Sequence, residues 1–204
     1  MEKGFDISDW QEDYFTIDRM KQAKAEGNKF VIVKLGESYQ ECEYARYNIF
    51  NALEANLKVG VYYFSHALDN ETAQRESDWV VNKLDEIGLV DYHLQSGVWY
   101  DLEETRQLRN AINAGAVTSQ DITNFMAIFE NTLNRSGRRN HGIYSGYSLL
   151  WDETYIYNQL PWVDIWVAQY NSECDYPNAK MWQYSESGTV AGLTVDVNYN
   201  MREW

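Results

Sequence analysis

Short apolar runs of strand length recur along the chain: "KGFDIS" (3–8), "FVIVKLG" (30–36), "VGVYYFS" (59–65), "GVWYDLE" (97–103), "HGIYSG" (141–146), "DIWVAQY" (164–170), "KMWQYS" (180–185) and "TVDVNYN" (194–200). Several are almost continuously apolar, the pattern of strands covered on both faces. Helical spacing fills the gaps between the early runs. Residues 17–26 end at Gly27, and residues 45–56 set Ile49, Ala52 and Leu53 on one stripe that continues to Leu57. Residues 71–87 carry Trp79, Val80, Leu84 and Ile87 and stop at Gly88, while residues 119–136 open on a capping-box-like Thr118-Ser119-Gln120-Asp121 and close at Gly137. A short helix is expected near residues 147–157.

Strand–helix alternation through residue 160 implies parallel strands joined by crossovers. The gaps after residues 170 and 185 then shrink to about nine and eight residues, whereas a parallel crossover usually needs about a dozen. Eight strands with about five helices fit an α/β fold, a (β/α) barrel whose last third has lost its helices; an open doubly wound sheet is the alternative.

Length and charge narrow the function. The 204 residues fit one domain or two small ones, and no linker, repeat or low-complexity tract divides them. A net charge of −14 repels nucleic acid and anionic membranes. No run of eighteen apolar residues predicts membrane insertion, and "MEKGFDISDW" shows no signal peptide. Cys42 and Cys174 sit in no CxxC and read as unpaired thiols. His66, His93 and His141 are scattered outside any zinc spacing, so neither a metal nor another cofactor is expected. The 16 Tyr, 8 Trp and 7 Phe exceed what a core of this size needs and suit a cleft for flat, amphipathic ligands.

The stretch "GVWYDLEET" (97–105) carries the candidate chemistry. Alternation puts Trp99, Asp101 and Glu103 on one face and Val98, Tyr100 and Leu102 on the other. With the apolar face against helices, the acids point into the barrel at its C-terminal rim, where barrel enzymes keep their chemistry. Two residues of rise separate them by about 6.5 Å along the strand, close enough for one charge to disfavour the other. A protonated acid beside a carboxylate is what glycosidic cleavage requires. Asp6, Glu37 and Asp196 also lie at or near strand ends, and a barrel brings such ends to one rim. "GIYSG" is no nucleophile elbow, because Ser145 lacks a glycine two positions before it.

"GFDISDWQ", "VKLGES", "VYYFSH", "YDLE", "WVAQY", "MWQYS" and "VDVN" follow one another in an order and spacing that resemble glycoside hydrolase family 25, the N-acetylmuramidase lysozymes of phage endolysins and bacterial autolysins. The resemblance covers residues 4 to 200. It implies a single catalytic domain over 1–204, a flattened, irregular barrel of five βα units followed by three strands. It also implies cleavage of the β-1,4 bond between N-acetylmuramic acid and N-acetylglucosamine. Glu103 then resembles the general acid/base, Asp101 its partner at the substrate acetamido group, and Asp6 and Asp196 the flanking carboxylates. Tyr62, Phe64, Tyr144 and Trp166, near strand ends, are candidates for the groove wall. The partner expected is bacterial peptidoglycan, met at the cell wall by a monomer. A chitinase-like enzyme and a silent glycan-binding barrel are the alternatives. The sequence departs from the family pattern at Tyr63, where histidine is common, and at Ser38, where glycine is.

Overall fold

The computed structural model describes residues 1–11 and 15–202. Its strands are β1 (Glu2–Ile7), β2 (Phe30–Glu37), β3 (Gln40–Glu41), β4 (Lys58–Phe64), β5 (Val98–Asp101), β6 (His141–Gly146), β7 (Asp164–Ala168), β8 (Met181–Val190) and β9 (Leu193–Asn200). The order β1-β9-β8-β7-β6-β5-β4-β2 closes through the β1–β2 pair into an eight-stranded barrel, with β3 appended antiparallel to the end of β2. β9 runs antiparallel to β8 and β1, and the other neighbouring barrel strands run parallel.

The helices are α1 (Ile17–Ala25), α2 (Ala45–Glu54), α3 (Asn70–Ile87), α4 (Arg106–Asn113), α5 (Ser119–Arg135), α6 (Tyr147–Asp152) and α7 (Ile156–Gln159). They occupy five crossovers, after which three strands follow without helices, as the shrinking gaps imply. The capping box of α5 is present, with Thr118 and Asp121 satisfying each other's backbone N–H groups.

Four local features depart from the sequence reading. Residues 106–113 form a helix that the sequence reading does not predict. Its apolar stripe is short: Leu108 is buried, and Ala111 and Ile112, three and four residues on, pack against the core; the Thr105 side chain caps the helix by accepting from the Leu108 amide at 3.1 Å. The helix near 147–157 is two short ones. β8 extends to Val190 and turns into β9 through Ala191 and Gly192, both at positive φ (48° and 81°), the twist that a two-residue hairpin needs. The β7–β8 crossover is parallel although no helix spans residues 169–180.

Alternation along the strands sorts the barrel interior by height. Inward positions run Phe30, Ile32, then Lys34 on β2, Trp99 then Asp101 on β5, and Gly4 then Asp6 on β1. Toward the N-terminal ends, Phe30, Ile32, Trp99, Tyr144, Trp166 and Met181 form a closed apolar plug. Gly4 and Gly142 make room for it, because a Cβ would run into the Phe30 ring at the first and the Trp99 ring at the second. Above the plug the interior turns polar. Outward-facing side chains pack instead under the helices; Tyr100 stacks on Phe129 of α5 with ring centroids 4.7 Å apart.

Candidate active site

The C-terminal end of the barrel holds two adjoining cavities. The first, of about 240 Å³, is lined by Asp6, Trp10, Lys34, Tyr62, Phe64, Asp101, Glu103 and Asp196 among others. The second, of about 620 Å³, is lined by Glu103, Tyr144, Tyr147, Tyr170, Glu186 and Asp196 among others. Glu103 and Asp196 belong to both walls, so the two form one groove with these carboxyls at its waist.

Each acid reaches the groove for a local reason. Asp101 ends β5 beside Phe64 of β4 and Tyr144 of β6. Glu103 lies two residues further on, and the chain there is pinned by Ser145, whose hydroxyl donates to the Leu102 carbonyl at 2.5 Å. Asp6 and Asp196 are cross-strand partners on β1 and β9. The structure thus brings Asp6, Asp101, Glu103 and Asp196 to one cavity. Glu37 stays outside its lining, held by Lys34 at 3.1 Å and His66 at 3.2 Å.

Burial here raises the pKa of all four carboxyls, and neighbouring carboxylates add to the effect for Asp6, Asp101 and Asp196. Burial, followed by the neighbouring Asp196, pushes Asp6 up to about 7, against hydrogen bonds from Asn198 and Gln183 that favour its ionised form. Burial, then Glu186 and Glu103, pushes Asp196 up to about 6. Burial raises Asp101 well above the usual carboxylate range, with Glu103 adding to the effect and Lys34 opposing it. Glu103 is raised by burial and restrained by the same lysine. Asp101 has a second peculiarity: its Oδ1 is buried without a hydrogen-bond partner. The Glu103 carboxyl also has no hydrogen-bond partner among the described residues.

Amides fix the other two acids. Gln183 Nε2 donates to Asp6 Oδ2 at 3.0 Å and to Asp196 Oδ2 at 3.2 Å, and Asn198 Nδ2 donates to Asp6 Oδ2 at 2.7 Å. The Gln183 carbonyl oxygen in turn accepts from the hydroxyls of Tyr144 (2.9 Å) and Tyr170 (3.0 Å). The sequence reading passes over Gln183 and Asn198. Asn198 was within reach, since it lies two positions from Asp196 and so on the same face of β9.

Of the four aromatic candidates, Tyr62 and Phe64 line the smaller cavity and Tyr144 the larger. Trp166 belongs to the interior instead: 1% exposed, it packs in the apolar plug and lines neither cavity. It sits mid-strand, and Ala168, two residues on, is the β7 side chain that reaches the groove. The indole Nε1 of Trp166 donates to Asn198 Oδ1 at 2.8 Å, so it supports the groove from below. Trp10, 86% exposed on the rim of the smaller cavity, is an aromatic the sequence reading did not select.

A closed (β/α) barrel with carboxyls gathered at the C-terminal end of its strands has the layout that glycoside hydrolysis uses. The sequence profile of "Glycosyl hydrolases family 25" matches residues 5–193, and the chain belongs to that family. Solved structures share its fold. The modular autolysin LytC of Streptococcus pneumoniae superposes with a TM-score of 0.79 at 24% identity, over 97% of this chain and 46% of that one, so this chain spans less than half of that autolysin. The muramidase of Trichobolus zukalii gives 0.77 at 19% identity over 100% and 95% of the two chains. The bacterial lysozyme of Streptomyces coelicolor gives 0.73 at 20% identity over 99% and 93%. No curated protein matches the sequence significantly.

Proposed function

We propose that this chain hydrolyses the β-1,4 bond between N-acetylmuramic acid and N-acetylglucosamine in bacterial peptidoglycan, with Glu103 as general acid and base. The observation that carries the reading is the pair at the end of β5. Asp101 and Glu103 face one cavity where burial raises the pKa of both, that of Asp101 well above the usual carboxylate range, in a chain of family 25. The pneumococcal neighbour is described in complex with a synthetic peptidoglycan ligand, which supports the same substrate. On this reading the domain works at the cell wall, as a monomer.

Burial raises the Glu103 pKa and so favours the protonated form, which gives its proton to the leaving glycosidic oxygen. The bare Oδ1 of Asp101 lacks a donor that the acetamido N–H of a bound sugar supplies. Once that hydrogen bond forms, the ionised state of Asp101 is favoured and its proton leaves to solvent; the bond holds the acetamido group with its oxygen facing the anomeric carbon, and the carboxylate stabilises the positive charge that develops on the nitrogen. That oxygen attacks as the C–O bond breaks and Glu103 delivers its proton, leaving a cyclic oxazolinium beside the Asp101 carboxylate. Water then adds to the anomeric carbon, gives its proton to Glu103 and restores the acetamido group. Asp6 and Asp196, tied by Gln183, hold the opposite wall.

The test is the identity of the new reducing end. Digested peptidoglycan is reduced with borohydride and its sugars analysed; reduced muramic acid is the expected product. Reduced glucosamine would make the protein a glucosaminidase and contradict the reading.

A further inference from the structure

The wall of the larger cavity does not stop at its edge. Tyr147, which lines that cavity, is the first residue of α6, and Trp151 follows one helical turn later. Their rings are stacked, with centroids 6.0 Å apart and planes 13° from parallel. Trp151 meets Tyr157 of α7 at 5.7 Å. Three aromatic rings therefore lead from the groove onto the outer surface, where Trp151 is 47% and Tyr157 41% exposed.

Their orientation is set from below. Tyr176, 4% exposed, stands edge-on to all three rings, at 6.4 Å from Tyr147, 6.1 Å from Trp151 and 6.1 Å from Tyr157. An isolated exposed aromatic is unremarkable on a protein surface. Three in ring contact, braced on a buried fourth and continuous with a catalytic groove, form a preorganised surface.

We propose that Tyr147, Trp151 and Tyr157 form a platform that carries the glycan strand beyond the cleavage groove, stacking on the apolar faces of its sugar rings. The proposal rests on the muramidase reading, which makes the substrate a polymer longer than the groove. Chemistry favours this occupant. The platform is aromatic with phenol hydroxyls, suited to a ligand that is apolar on its ring faces and hydroxylated at its edges. A second copy of the chain is disfavoured, because net charges of −14 repel each other. Stacking also needs no charge, so it gives an acidic enzyme a hold on an anionic polymer.

The experiment compares wild type with Trp151→Ala and Tyr157→Ala on two substrates. One is long, peptide-free glycan strands, and the other is the tetrasaccharide released from them. One lost aromatic contact should lower turnover of long strands relative to the tetrasaccharide by about tenfold, through a higher KM. The tetrasaccharide rate also reports that each variant is folded, and Trp151→Phe should restore most of the loss. An equal effect on both substrates, or none on either, overturns the platform while leaving the muramidase reading intact. Wild type that cleaves neither substrate overturns that reading itself. Two further results overturn the glycan as occupant. One is a dimer in sedimentation that Trp151→Ala dissolves, which assigns the surface to a second copy. The other is a Trp151 effect seen only on strands that keep their stem peptides.

Discussion

Asp6 and Asp196 face each other across the β1–β9 ladder and share one amide nitrogen, that of Gln183, at 3.0 and 3.2 Å. Two carboxyls joined in this way cannot both ionise at little cost, and the fold bears the strain of holding them at the groove.

That strain sets the pH dependence of stability. Asp6 is raised from 3.8 in the unfolded chain to about 7 in the fold, so the folded state binds its proton more tightly. Its contribution is fully present below the unfolded value and is lost as pH rises through about 7. Asp6→Asn should therefore stabilise the protein at pH 8 by on the order of 4 kcal/mol, at about 1.4 kcal/mol per unit. The gain should shrink toward pH 4. Urea denaturation of both proteins at the two pH values measures it, and a gain independent of pH would show that Asp6 titrates normally.

Trp166 acts on the site from beneath it. Trp166→Phe keeps most of the ring but removes the Nε1–H that Asn198 Oδ1 accepts. The stranded acceptor should lower stability by about 1–3 kcal/mol. It also frees the Asn198 amide to turn away from Asp6, which should move the acidic limb of the pH–activity profile upward. Denaturation and a pH–rate series test the two consequences separately; an unmoved profile would separate Asn198 from the chemistry.

How far the sequence foretold this arrangement depended on what each element displays. The barrel and its helix-free last third were legible, because apolar runs and helical stripes alternate and then stop alternating. Asp101 and Glu103 were legible because charges are rare in so apolar a strand. Gln183 and Asn198 were not: amides carry no such contrast, and their meeting depends on the β8–β9 register that sets them opposite each other. Trp166 was misplaced because alternation tells which face a ring takes and not how deep in the barrel it lies. α4 escaped because its stripe, Leu108, Ala111 and Ile112, is only three residues long.

Charge should govern encounter with the wall. An acidic protein meeting an anionic polymer is repelled at low ionic strength. Activity on intact cells should rise as salt approaches about 0.15 M, where the Debye length is roughly 8 Å. Walls stripped of teichoic acid should show less dependence. A steady fall with added salt on both substrates would reveal a basic binding surface that dominates the net charge.

The most direct measurement is the turnover of purified peptidoglycan by Glu103→Gln, after circular dichroism has shown the variant folded. The side chain keeps its shape and loses its proton, so the rate should fall by about 10² to 10⁴. Asp101→Asn should also be severe, and the double variant little worse than Glu103→Gln alone, because both groups act on one transition state. A folded Glu103→Gln protein that digests peptidoglycan at a near-normal rate would contradict the assignment of Glu103 as the acid.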